Sequence, residues 1–241
     1  MWLSLSLSLL SLLLAGIRVE GAGQVNSAAL NLYKHAFNGD ATYYGSSGGG
    51  GTCSYGAHNP PVASHAKIPV ALNKPQFLNS LMCGSCWQVT GSGHGSGNSP
   101  VTGTFMVFVD NLCPECHAGD VDLGVSGDGR WDISIKAVQC PVGNGKLDYK
   151  FQGSNPYYIK LQVRNARLPV HMMEIDLNGW QKMQHSADGF FLHSGGPIHG
   201  SFRVRVTAIN GAQVIETISG VHNDVIIHGK GQFPLDSSLP H

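Results

Sequence analysis

All six cysteines of the chain fall between Cys53 and Cys140, and four of them form two matched pairs, Cys83-Gly84-Ser85-Cys86-Trp87 and Cys113-Pro114-Glu115-Cys116. Residues of this type in this pattern suit three chemistries. Cys-Gly-Ser-Cys-Trp is the local signature around a papain-type nucleophile, which would make Cys86 the attacking thiolate and His222 its base. Two Cys-x-x-Cys pairs can close a tetrahedral zinc site. Six cysteines in a secreted chain can form three disulfides. The second pair is also crowded by carboxylates, with Asp110, Glu115, Asp120 and Asp122 close in sequence. Loop aspartates ordinarily cap turns and stay solvated. Asp122 differs because Val121 and Leu123 flank it. In a strand its carboxyl faces opposite to both apolar neighbours and can line a groove.

The elements that must position these residues weigh on the choice. A papain-type nucleophile starts a long helix, whereas here Trp87 leads through Gln88-Val89-Thr90 into Gly91-Ser92-Gly93-His94-Gly95, a strand running into a glycine loop. A zinc site would leave Cys53 and Cys140 without a role. Residues Trp2 to Gly16 are apolar or serine and uncharged, followed by Arg18, Glu20 and small residues. That pattern predicts a secretory signal peptide over residues 1–22 and an extracellular, soluble mature protein. The run is short for a membrane span and has no second copy, so no membrane partner is expected. Oxidising surroundings favour three disulfides, the arrangement that uses every cysteine.

Composition excludes several partners. The 241 residues carry a formal net charge of zero, with lysines and arginines scattered singly, which gives no electrostatic reach toward nucleic acid or anionic lipid. Gly48-Gly49-Gly50-Gly51 lacks the Lys-Ser/Thr ending of a phosphate loop. The twelve histidines show no helical metal spacing. No cofactor and no metal are expected.

Two β units are predicted, divided near residues 142–147 by Val142-Gly143-Asn144-Gly145. Before it, Thr104 to Val109 is a nearly continuous apolar run, suited to a buried barrel strand, and Trp131 to Val138 alternates. After it, Ile159 to Arg164 and Phe202 to Val206 alternate as half-buried strands do. Asn178-Gly179 and Asn210-Gly211 separate apolar runs and read as hairpin turns. Short strands with turns between them predict a small sandwich. No long amphipathic helical pattern is present.

Ala41-Thr42-Tyr43-Tyr44-Gly45, the Cys-Gly-Ser-Cys motif, Asn111-Leu112-Cys113-Pro114, Val121-Asp122-Leu123 and Val138-Gln139-Cys140 together resemble expansins. The second half adds Tyr157-Tyr158, Leu161 to Asn165, Pro169-Val170, Gly179-Trp180 and Gln232-Phe233-Pro234 in the same order. The resemblance implies an all-β chain. A six-stranded double-psi β-barrel over 23–145 would be followed by an immunoglobulin-like carbohydrate-binding sandwich over 147–235. It implies the pairings Cys53–Cys83, Cys86–Cys140 and Cys113–Cys116. It makes Asp122 the required acidic residue, with Thr42 and Tyr43 beside it in the groove. Tyr157 and Tyr158 match two rings of a sugar-stacking platform. The third ring falls near Asp188, with Phe190 and Phe191 just beyond, so Phe190 is the candidate for a shifted platform. The segment after Asp122 is cut down to Gly124 to Gly129, which should open one end of the groove.

The implied activity is non-hydrolytic loosening of cell-wall cellulose or a related β-glucan by a secreted monomer. Related barrel endoglucanases place a catalytic base near the first strand, where this chain has Gly45, and an acid without a base does not activate water. Two other classes remain open. One is an endoglucanase or lytic transglycosylase with Asp122 as general acid and Asp40 or Asp110 as base. The other is a pure polysaccharide-binding protein of the barwin type.

Overall fold

The computed structural model describes residues 23–45, 50–56, 60–66 and 68–241. The expected signal peptide, and Gly48 and Gly49 of the glycine run, lie outside the described residues. Among the described residues, no helix is long and apolar enough to cross a membrane.

Six strands close into a barrel: β1 (Phe37–Tyr43), β2 (Ile68–Asn73), β3 (Cys86–Ser96), β4 (Thr102–Cys113), β5 (Val121–Leu123) and β6 (Arg130–Val138). Their order around the barrel is β1-β5-β2-β4-β3-β6, with β1 parallel to β5 and β2 parallel to β4. This is the six-stranded barrel implied by the sequence motifs. Val70, Leu72, Val89, Val107, Val109, Val121 and Ile135 fill its interior, as strand alternation dictates. The glycine run after Thr90 is not a loop. Strand β3 continues through it with a register shift between Gly91 and Gly95, where the missing side chains let the strand bend.

A second β unit follows. One sheet has the order β10-β9-β13-β14, built from β9 (Val170–Asp176), β10 (Trp180–Lys182), β13 (Phe202–Ala208) and β14 (Gln213–Ile218). The other has the order β11-β12-β8-β7-β15, built from β7 (Asp148–Phe151), β8 (Tyr158–Arg164), β11 (Gln184–His185), β12 (Phe191–Ser194) and β15 (Ile226–His228). Tyr149, Phe151, Ile159, Leu161, Met173, Ile175, Val204, Val206 and Ile218 are buried in this unit. Asn178 and Gly179 both adopt positive φ, as the tight turn between β9 and β10 requires.

The longest helix among the described residues escapes the sequence pattern. Helix α1 (Ser27–Lys34) is capped by Asn26, whose side chain accepts from Ala29 N at 3.0 Å, and it buries Ala29, Leu32 and Tyr33. At eight residues it is too short to show a periodic signature.

The two units are stitched through buried polar groups. Arg164, only 2% exposed, donates to Tyr55 O at 3.2 Å and Ser54 O at 3.1 Å, while Gln162 Nε2 donates to Cys53 O at 2.8 Å. In addition, Gln139 Nε2 donates to Asp236 O at 2.9 Å, and Asn26 N donates to Ile209 O at 2.8 Å.

Candidate functional site

The three disulfides are Cys53–Cys83, Cys86–Cys140 and Cys113–Cys116, and no free cysteine remains among the described residues. A thiolate nucleophile at Cys86 and a zinc-thiolate centre are both excluded, because every sulfur is bonded to another sulfur. Trp87 is fully buried, its indole nitrogen donating to Ser85 Oγ at 2.9 Å.

The Cys113–Cys116 bridge tightens the turn that leads into β5. That turn is fixed at several points. Asp120 accepts from His117 N and Asp40 N, each at 2.9 Å. Gln76 Oε1 accepts from Gly119 N at 2.9 Å, and Asn73 Nδ2 donates to Asp120 O at 2.9 Å. Gly39 is required on the facing strand, since a Cβ there would lie 2.3 Å from the Gly119 carbonyl carbon. So fixed, β5 lies between β1 and β2, with Thr42 and Ala71 opposite Asp122. Val121 and Leu123 point into the core and Asp122 points out, as the strand alternation predicts.

Asp122 lines a small cavity of about 150 Å³ with Asp40, Thr42, Glu115, His117, Asp120, Arg130 and the Cys113–Cys116 bridge. Thr42 Oγ1 donates to Asp122 Oδ1 at 2.7 Å. Partial burial pushes the Asp122 carboxyl above the usual aspartate range. The Thr42 hydroxyl opposes that, the negative charge of Glu115 adds to it, and Arg130 opposes it. Arg130 Nη1 donates to Asp40 Oδ2 at 2.8 Å, so the candidate base Asp40 is engaged in an ion pair. The other candidate base, Asp110, is buried on β4 and does not line this cavity. At Gly45 an added Cβ would meet nothing within 4 Å among the described residues. Arg130 was not singled out from the sequence, since a lone arginine after Gly129 carries no motif.

The structure brings Thr42 to Asp122 but does not bring Tyr43 there. Consecutive strand residues face opposite ways. The Tyr43 ring packs against Gly127, where a Cβ would come within 2.4 Å of it, and its hydroxyl donates to Ser99 O. Tyr43 thus anchors the shortened loop after β5 and does not line the carboxyl cavity.

On the second unit Tyr157 is 63% exposed and Tyr158 half-buried, at the start of β8. Phe190 requires a correction. It is 0% exposed, with Lys160 Nζ 4.5 Å above its ring, so neither face can stack on a polysaccharide. The turn from Ser186, whose N–H donates to Phe190 O at 2.8 Å, folds the ring inward. Near Asp188, where a third ring was expected, an ion pair stands, with Lys160 Nζ 2.6 Å from Asp188 Oδ2. Trp180 lies on the other sheet, its ring covered by the guanidinium groups of Arg203 and Arg205 at 5.3 and 4.5 Å.

Comparison with known proteins places these features. The chain is 31% identical over 222 residues to expansin-YoaJ of Bacillus subtilis, covering 84% of this chain and 88% of that protein. It is 27% identical over 228 residues to expansin-B4 of Arabidopsis thaliana, covering 83% and 81%. The crystal structure of the apo expansin of Clavibacter michiganensis superimposes with a TM-score of 0.70 at 24% identity, covering 84% of this chain and all of that one. A mutant of the same bacterial expansin in complex with cellohexaose matches with the same TM-score at 25% identity. No protein-family model matches the chain.

Proposed function

This chain belongs to the expansin family, and from that premise we propose that it is a secreted monomer that binds cellulose or a related wall β-glucan and loosens it without cutting it. The observation that carries this reading is the state of Asp122. It is a groove carboxyl held by Thr42 and made harder to ionise by burial, while Asp40 is taken up by Arg130 and Asp120 by backbone amides. In its protonated form Asp122 can donate a hydrogen bond to a glucan hydroxyl or glycosidic oxygen. Inverting hydrolysis needs in addition a positioned base to activate water, with the two carboxyls roughly 6.5–9.5 Å apart. The cellohexaose complex of the bacterial relative supports a cello-oligosaccharide as the ligand class.

In this reading the second unit holds the polymer through Tyr157 and Tyr158. A ring face packs on the apolar C–H face of a pyranose, and dispersion sums over the contact. The barrel groove then engages one chain, and Asp122 competes for hydrogen bonds that tie that chain to its neighbours. Extension of heat-inactivated wall strips under constant load tests it. Wild type should produce creep without releasing reducing sugar. Asp122→Asn should lose creep and retain cellulose binding. Steady sugar release by wild type, lost in Asp122→Asn, would make the protein a glycosidase.

One observation favours that second reading: Glu115 shares the cavity with Asp122. Two carboxyls on one cavity are the minimum equipment for inverting hydrolysis. Sugar release that disappears in Glu115→Gln would establish it.

A further inference from the structure

The second unit carries a cleft that neither the barrel groove nor the tyrosine surface uses. It opens at one end of the sandwich, between the two sheets, with a volume of about 530 Å³. Ligand sites typically span roughly 300–1,000 Å³ and combine an apolar base with a few polar groups. Ile198 and Phe202, both buried, give this cleft an apolar floor. Asn178, Gln181, Ser194 and His199 stand exposed around it, each offering hydrogen bonds without a net charge when the histidine is neutral. Asp176 also lines it, but its carboxylate is tied to Arg203 and to Gly179 N.

Two details bear on what fits. His193 lies in the lining, and its Nε2 is buried with no hydrogen-bond partner among the described residues. A buried ring nitrogen ordinarily finds a partner. A hydroxyl suits either tautomer, because it both donates and accepts. The cleft also adjoins the segment that carries Tyr157. Its wall, Gly195-Gly196-Pro197, is bonded to the segment carrying Tyr157, with Gly195 N donating to Tyr157 O at 3.1 Å and Ile198 N to Pro156 O at 2.8 Å. The backbone of the exposed Tyr157 therefore runs alongside that wall.

We propose that this cleft is a second carbohydrate site, taking a neutral sugar residue that branches from a glucan main chain lying over Tyr157. A pyranose has the matching chemistry: an apolar C–H face for the floor and a fringe of hydroxyls for Asn178, Gln181, Ser194 and His199. With its histidines neutral, the cleft carries no unpaired charge among the described residues, which selects a neutral branch over a uronic acid. The proposal rests on the reading that Tyr157 holds the main chain.

Calorimetric titration of the whole protein with two soluble probes tests it: cellohexaose, and a xylose-branched cello-oligosaccharide. The branched probe should bind wild type about tenfold more tightly than cellohexaose. The double substitution Gln181→Ala with His199→Ala, both at exposed positions, should bring the branched probe down to the cellohexaose level and leave cellohexaose unchanged. Tyr157→Ala should weaken both probes. Equal binding of the branched probe by wild type and the double variant would overturn the proposal, as would equal loss for both probes. If Tyr157→Ala leaves cellohexaose binding intact, the tyrosine reading fails. The cleft is then still judged by whether the double variant removes the increment due to the branch.

Discussion

Replacing Thr42 with valine isolates the contact that defines the groove carboxyl. The side chains are close in shape, and the substitution removes only the donor that lies 2.7 Å from Asp122 Oδ1. A hydrogen bond to an ionised carboxylate typically contributes about 1.5–3 kcal/mol. The half-exposed setting of Asp122 screens this to on the order of 1 kcal/mol, about fivefold in an equilibrium constant. The donor favours the ionised form, so its loss should make Asp122 bind its proton about fivefold more tightly. The sign for stability follows by linkage. Burial already raises the folded-state pKa of Asp122. Ionising it therefore costs stability once the pH rises above the value in the unfolded chain, and Thr42 offsets part of that cost. Thr42→Val should lose about 1 kcal/mol at neutral pH, lowering Tm by about 2–4 °C for a chain of this size. The loss should shrink as the pH falls through the raised range in which folded Asp122 ionises, above the ordinary aspartate value, because the Thr42 donor favours the ionised form. Carboxyl-carbon NMR titration and thermal unfolding at two pH values read both effects. An equal loss at both pH values, or an Asp122 that titrates lower in the variant, would refute the reasoning.

Phe190→Ala should destabilise the fold by about 3–5 kcal/mol because the ring is fully buried, while Tyr157→Ala should leave unfolding unchanged and weaken cellulose binding by on the order of 1 kcal/mol. Chemical unfolding beside a pull-down on insoluble cellulose separates the two effects. Loop-closure entropy makes Cys86–Cys140, which spans 54 residues, contribute about 4 kcal/mol, against about 1.6 kcal/mol for Cys113–Cys116, which spans 3. Paired serine substitutions should reproduce that ranking in denaturant midpoints. Arg164→Met should cost about 2–4 kcal/mol, since it strips buried carbonyls at Ser54 and Tyr55 of a donor. Hydrogen exchange should then report loosening around residues 53–55 first.

Most strands were legible because one face of each is apolar and the period of two survives in the sequence. Thr104 to Val109, Trp131 to Val138, Ile159 to Arg164 and Phe202 to Val206 all fall inside observed strands. The same rule misjudged the polar half of β8. Gln162 and Arg164 read as the solvent face, yet they are 1% and 2% exposed, because the carbonyls of residues 53–55 cover them. Burial by a partner distant in sequence leaves no periodic trace. Phe190 failed for a related reason: a phenylalanine beside a turn is equally apolar whether it faces solvent or the interior. Asp122 was legible from its flanking apolar pair, and Arg130 was not, since its role comes from strand pairing that sets Asp40 opposite Asp132 and brings residue 130 alongside.

That pairing bears directly on whether the groove cuts or only grips. Four carboxyls line the cavity, and three are held. Asp40 is paired with Arg130, Asp120 accepts backbone amides, and Asp122 accepts from Thr42. A hydrolytic base must be held as firmly as the acid, because misplacement by an ångström can cost on the order of a hundredfold in rate. Glu115 has no hydrogen-bond or ion-pair partner among the described residues and is exposed on the disulfide turn. A side chain so placed still influences Asp122 through its charge, raising the pH at which the acid ionises. It lacks the fixed position that activating a water molecule demands. Removing its charge in Glu115→Gln should therefore lower the pH at which Asp122 ionises. Creep activity should fall off at correspondingly lower pH, and its maximum at acid pH should be unchanged. Loss of that acid-pH maximum in Glu115→Gln would show that the carboxylate acts directly.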